Sequence, residues 1–163
     1  MKYIKIRDVK SPSRGTPQSA GIDFYIPNDW NNGDIYDLGP GQRLLIPSGI
    51  KLKVPEGNAL IAFNKSGVAT KTGVVVGACV VDEDYQGEVH LSIINTNHPK
   101  EFWKDGYYVT DPGYVQIEPG TKIMQFILVP VNYAEPREVG TLQELFPEVS
   151  ERGEGGFGST GIK

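Results

Sequence analysis

Apolar and polar residues alternate along this chain in short runs, and almost nowhere at the spacing of a helix. Val89, Leu91 and Ile93 alternate with His90, Ser92 and Ile94, and the apolar run Val74-Val75-Val76 lies upstream. Both stretches read as buried strands, punctuated by Gly77 and Gly87. Strands are also expected at 20–26, 44–46, 50–54, 59–63, 114–117 and 123–131. Residues 2–7 read as an edge strand with Tyr3 and Ile6 turned to the core. Between these elements, 28–41 reads as a long turn region and 64–73 as a loop. The 95–113 segment reads as irregular, anchored by Trp103, Tyr107 and Tyr108. A single short helix is expected, where Thr141-Leu142-Gln143-Glu144 fits a capping box and Pro147 stops it. Many short strands with almost no helical periodicity point to a closed or sandwiched all-β fold.

Composition agrees. Twenty Gly and twelve Pro are scattered along 163 residues, the pattern of turns between strands rather than of low complexity. That length suits one domain with a core that needs no staples. A net charge of −4 and no basic stripe argue against polymeric nucleic acid as a partner. A small anion held by local cations and backbone N–H groups stays open. Cys79 is the only cysteine, so no intrachain disulfide forms and a reducing, cytoplasmic setting is expected. The first residues lack a signal-peptide core, and no apolar run is long enough to span a bilayer.

The candidate chemistry centres on Val81-Asp82-Glu83-Asp84-Tyr85-Gln86-Gly87-Glu88, a dense acidic segment carried between two strands. Asp82 by itself reads as a turn aspartate, or as a carboxylate placed beside apolar surface for a purpose. Lys65-Ser66-Gly67 is a surface loop or a phosphate grip of charge, hydroxyl and open backbone. Asp23, after Ala20-Gly21-Ile22, is structural or part of a metal's water shell. Pro119-Gly120 reads as a turn into a strand on which an inward Gln125 would need hydrogen-bond partners. The end of the chain, Arg152-Gly153-Glu154-Gly155-Gly156-Phe157-Gly158-Ser159-Thr160-Gly161, contains a formal G-x-G-x-x-G with no strand-to-helix turn around it. It is a plain flexible tail, or an arm whose Arg grips phosphate and whose Phe stacks on a base. His90 and His98 lack zinc-ligand spacing, and no hydrolase triad is evident.

Taken in order, these five segments resemble the five motifs of the dUTP pyrophosphatase (dUTPase) family, from Ala20 to Gly161. The third and fifth are long and specific; the other three carry little weight alone. The resemblance implies a jelly-roll-like β-barrel over 1–148 with one short helix, and a flexible arm over 149–163 that closes an active site. It implies a homotrimer whose sites are shared between subunits, and hydrolysis of dUTP to dUMP and pyrophosphate with Mg²⁺. By the same resemblance Asp82 activates the attacking water. Tyr85 packs on the deoxyribose, and backbone between Val76 and Asp82, with Cys79, reads the uracil. Lys65, Ser66, Gly67 and Gln125 hold the phosphates, joined by Arg152, Gly158, Ser159 and Thr160, while Phe157 covers the base and Asp23 touches the metal through water. The alternatives on this fold are a dCTP deaminase-like or bifunctional enzyme, and a regulatory binding protein with reduced catalysis.

The chain departs from the family pattern at several positions. Lys65 stands where Arg is usual, which replaces a planar fork by a point charge. Cys79 stands where Gly is usual. Lys122 and Met124 replace the usual Arg and Ala, which reads as a packing change. The segment between 95 and 120 exceeds the family's usual length by about a dozen residues, and loops of that size generally have a purpose.

Overall fold

The computed structural model describes residues 1–155. By its internal contacts the chain divides into two units, Met1–Asn132 and Tyr133–Lys163. The first unit opens with β1 (Lys2–Lys5), β2 (Ile22–Tyr25), a 3-10 helix (Trp30–Gly33), β3 (Tyr36–Leu38), β4 (Arg43–Lys53) and β5 (Asn58–Asn64). There follow α1 (Ser66–Thr72), β6 (Val74–Val76), β7 (Val80–Val81) and β8 (Glu88–Asn95). β9 (Lys100–Lys104), β10 (Tyr107–Asp111), β11 (Val115–Ile117) and β12 (Lys122–Pro130) complete it. One four-stranded sheet has the order β1-β4-β8-β6 and another the order β2-β12-β5-β7, while β3 with β11 and β9 with β10 form separate pairs.

Alternation decides what faces inward. On β8, Val89, Leu91 and Ile93 are buried while His90 is exposed. Ile46, Leu91 and Ile93 of one sheet join Phe24, Leu60, Met124 and Phe126 of the other in a single apolar cluster. Phe24 and Phe126 meet there with ring centroids 4.5 Å apart. The all-β expectation holds. The jelly-roll-like barrel is met only loosely: among the described residues the strands belong to separate sheets whose edges are not joined into a closed ring.

Four local expectations are corrected. The two strands expected at 44–46 and 50–54 are one, β4 (Arg43–Lys53), because Pro47-Ser48-Gly49 marks a bulge in the pairing with β8. Gly49 takes a φ of 71° there and donates its N–H to Glu88 Oε1 at 2.7 Å. β1 buries nothing: Tyr3 and Ile6 are 44% and 45% exposed, so the edge strand does not feed the core in this unit. The 64–73 loop contains α1, which Gly73 ends in the left-handed conformation. Thr70 and Thr72 each donate their hydroxyl to a carbonyl four residues back, which satisfies the hydroxyls within the helix. The irregular 95–113 segment is a β-hairpin, β9 paired with β10, turned at Asp105 and Gly106 with φ of 52° and 85°. Two left-handed residues in a two-residue turn are what an Asp-Gly hairpin requires.

The second unit carries α2 (Leu142–Leu145). Thr141 Oγ1 accepts from the Glu144 N–H at 3.1 Å, as the capping-box pattern expects. With α1 and the 3-10 helix, the described chain has more helix than the one short segment expected. Among the described residues no helix is long and apolar enough to cross a membrane.

Candidate functional site

The β2-β12-β5 arrangement brings three distant parts of the chain together. Asp23 on β2 lies opposite Gln125 on β12, and Lys65 directly follows β5, the other neighbour of β12. Asp23 is only 4% exposed. Its Oδ1 accepts from Lys65 Nζ and its Oδ2 from Lys122 Nζ, the latter at 2.9 Å. Burial alone would raise the Asp23 pKa; hydrogen bonds from Lys122 and Lys65, with their charges, outweigh it and hold the carboxyl below its ordinary value. The same contact, first as a hydrogen bond and then as a charge, raises Lys122.

Gln125 reaches across this cluster. Its Nε2 donates to the Asn64 carbonyl at 2.9 Å, and Asn64 Oδ1 accepts the Val76 N–H at 2.7 Å. Gly21 is needed beside it, because a Cβ at that position would run into the Gln125 carboxamide. Ser66 and Gly67 are exposed at the start of α1, and nothing lies within 4 Å of where a Gly67 Cβ would stand. Two lysines, a hydroxyl and an open stretch of backbone thus share one surface, well suited to a phosphate chain.

The third motif has a different construction. Residues 74–76 and 88–95 pair as expected, yet the segment between them detours to the other sheet, where Val80 and Val81 pair with β5. Much of its acidity is structural: Glu83 Oε2 accepts the Gly57 N–H at 2.6 Å and Glu88 Oε1 accepts that of Gly49. Asp82 differs. It is exposed, and its carboxylate has no hydrogen-bond or ion-pair partner among the described residues. Tyr85 lies over Gly87, where a Cβ would collide with its ring, and its hydroxyl donates to the Glu88 carbonyl at 2.9 Å. Cys79 and Tyr85 line a cavity of about 260 Å³ together with Leu45, His90 and Ser92. Gly77 is held to the wall of this region by its N–H, which donates to the Ser92 carbonyl at 2.9 Å.

The candidate residues therefore fall into two groups. Asp23, Lys65, Ser66, Gly67 and Gln125 gather at one end of β12, with Val76 tied to them through Asn64. Cys79, Asp82 and Tyr85 form the other group, and among the described residues no hydrogen bond or ion pair links it to the first. Arg152 belongs to the second unit, where its Nε donates to the Gly155 carbonyl at 2.7 Å. Phe157, Gly158, Ser159 and Thr160 lie outside the described residues.

Two residues of the first group escaped the sequence reading. Lys122 stands opposite Tyr25 on β2, near enough to Asp23 to hold it, so its place is electrostatic rather than a matter of packing. Its signal was the charge just ahead of an apolar strand. Asn64, which reads on paper as part of a glycosylation sequon, instead ties β5 to Gln125 and Val76. No group of three or more His, Cys, Asp or Glu side chains able to hold a metal occurs among the described residues. Each Asp23 oxygen accepts from one lysine, which leaves it able to accept from a water as well and sets two cations beside it.

Comparison with known proteins puts this arrangement in context. The dUTPase family profile matches residues 7–106. Deoxyuridine 5'-triphosphate nucleotidohydrolase of Mus musculus is 30% identical over 99% of this chain and 85% of its own length. That of Salmonella typhimurium is 36% identical over 93% of this chain and 87% of its own length. Among solved structures, the dUTPase of Staphylococcus bacteriophage 80alpha with dUPNHPP superposes with a TM-score of 0.79 at 25% identity, covering 99% of this chain and 98% of that one. By sequence along nearly its whole length and by fold, this chain belongs to the dUTPase family.

Proposed function

We propose that the chain is a dUTP diphosphatase, which hydrolyses dUTP to dUMP and pyrophosphate in the cytoplasm. The observation that carries this reading is the convergence of Lys65, Lys122 and Gln125 around a buried Asp23, within a chain of the dUTPase family. Lys65 and Ser66 take the phosphates, and Asp23 fixes the lysine that would otherwise roam. Mg²⁺, when bound, would be held mainly by the triphosphate and would offset its charge, with Asp23 placed to meet its water shell.

Asp82 is the base. An exposed carboxylate with no internal partner is free to accept a hydrogen bond from water, orient it, and take its proton as the oxygen attacks the α-phosphorus. The new P–O bond forms as the bond to the bridging oxygen breaks, and pyrophosphate departs. Tyr85 packs on the sugar and leaves no room for a 2′-hydroxyl. Backbone from Val76 to Asp82, with Cys79 in the same wall, pairs with the uracil edge, which cytosine leaves unsatisfied.

The resemblance to the dUTPase family implies a site shared between subunits of a homotrimer. One subunit supplies Asp82 and Tyr85, and another supplies Asp23, Lys65 and Gln125. The arm from 149 onward brings Arg152, Phe157, Gly158, Ser159 and Thr160 to a neighbour's site and closes it against bulk water. Pyrophosphate release across a nucleotide panel tests the proposal. Turnover of dUTP with Mg²⁺ should exceed that of dCTP, dTTP and UTP by at least about a hundredfold. Comparable turnover of all four would defeat the uracil and deoxyribose assignments.

A further inference from the structure

A second cavity, of about 480 Å³, opens at the foot of the β9–β10 hairpin and shares no residue with the site above. Its walls come from the last turn of α1, the 97–100 segment, and the strand start at 113–116. α1 rises about 1.5 Å per residue, so Lys71 stands roughly 8 Å along the helix from Ser66.

The walls are stitched rather than loose. Asn95 is fully buried, and its Nδ2 donates to the carbonyls of Leu38 at 2.9 Å and Gly113 at 2.8 Å. Asn95 Oδ1 accepts the Asn97 N–H at 3.0 Å, and Asn97 Nδ2 donates to the Thr72 carbonyl at 2.7 Å. Gly113, with a φ of 74°, lets the His98 backbone pass at 3.1 Å from where its Cβ would be. Three successive polar side chains, Thr96 included through Gly73, thus lock helix, hairpin base and strand into one concave surface. A cavity held open by buried hydrogen bonds does not have to be ordered by its ligand.

The charge inside it is lopsided. Lys71 and Lys100 make no side-chain hydrogen bond or ion pair among the described residues. Against them stands one carboxylate, Asp111, whose Oδ1 already accepts the Gly113 N–H at 2.8 Å. Tyr114 adds an aromatic wall and is 58% exposed. Cavities of a few hundred Å³ suit ligands of nucleotide size. We infer that this cavity binds a small phosphate-bearing molecule of mononucleotide size, its phosphate on Lys71 and Lys100 and its planar part against Tyr114. The longer segment between 95 and 120 then has a purpose: it supplies Lys100 and the outer wall of a second ligand site. The inference is independent of the dUTP reading, since Lys71, Lys100 and Tyr114 take no part in it.

The test titrates the full-length, isotope-labelled protein with AMP and, separately, with inorganic phosphate, following amide shifts. Saturable shifts confined to 71–72, 97–100 and 113–116 are expected, with AMP bound at least about tenfold more tightly than phosphate. Lys71→Ala with Lys100→Ala should weaken AMP binding by about tenfold or more, the loss expected of charged hydrogen bonds, while dUTP turnover persists. Lys100→Gln alone, on an exposed hairpin, repeats the measurement should the double variant fold poorly. Absence of saturable shifts at these residues up to about 10 mM AMP overturns the inference. So does equal binding by the variants, and phosphate binding as tight as AMP removes the planar part.

Discussion

Two aspartates show how differently one residue type is used in this chain. Asp82 is exposed and unengaged among the described residues, whereas Asp23 is buried with both oxygens given to lysines. Asp82→Asn keeps size and polarity but cannot take a proton. Turnover should fall by about a thousandfold or more while a non-hydrolysable dUTP analogue still binds, as steady-state rates and calorimetry would report. Retained turnover would remove Asp82 from the mechanism. Asp23 should register in stability. Its carboxyl is held below the ordinary 3.8, so the stability it confers is complete above that value and vanishes as pH falls through the lowered one. Lys122, raised above 10.5, contributes below that pH and loses its share only in stronger alkali. Asp23→Asn should therefore cost about 2 kcal/mol near neutrality, and the gap to wild type should close in strong acid. Melting curves across pH decide it; a gap that stays constant into acid would deny the ion pairs their role. The Asp82 segment stood out only through the order of all five segments and their resemblance to the dUTPase motifs, since a lone acidic turn reads equally as solvated surface. Lys122 did not, since one charge before a strand carries no trace of the carboxylate that will lie across the sheet.

At the scale of elements, the β9–β10 hairpin is the clearest case of local instruction without a core. Phe102, Trp103, Tyr107 and Tyr108 are all exposed, and Trp103 packs edge-on against Tyr108 at 4.9 Å. With neither face buried there is no apolar-polar alternation to read, and the aromatics pass for loop anchors. The Asp105-Gly106 dipeptide was the usable signal. Gly106→Val places a β-branched residue at a φ of 85° and should cost the hairpin about 1–2 kcal/mol. Hydrogen exchange of the β9 and β10 amides should quicken while that of β8 stays as it was, because the pair joins no other sheet. Equal acceleration in β8 would mean that the hairpin and the core unfold together. α1 was missed for a related reason: Gly and two Thr within seven residues argue against a helix, and the Gly73 cap that ends it is a weak signal alone.

For the whole molecule the question is which chains build a site. If Asp82 and Lys65 serve the same site only from different subunits, two inactive proteins can mend each other. Mixed trimers of Asp82→Asn and Lys65→Met chains, refolded together in equal amounts, should recover about a quarter of wild-type activity by random assembly. Mixing the folded proteins without subunit exchange should recover none. No recovery after refolding, with mixed trimers shown to be present by native mass spectrometry, would return both groups to a single chain.

By itself the sequence determined the class of fold and the family, and singled out the residues proposed to carry the chemistry. Those depend on local matters: alternation along a strand, turn residues, and polar groups at fixed spacing. The partition of strands into two four-stranded sheets and two separate pairs, the passage of β4 through its bulge, and the meeting of Asp23 with Lys65 and Lys122 were decided only by tertiary structure. Which strand lies beside which depends on the burial of both faces at once, and a buried carboxylate finds its cations across a sheet, at sequence distances that no local pattern records.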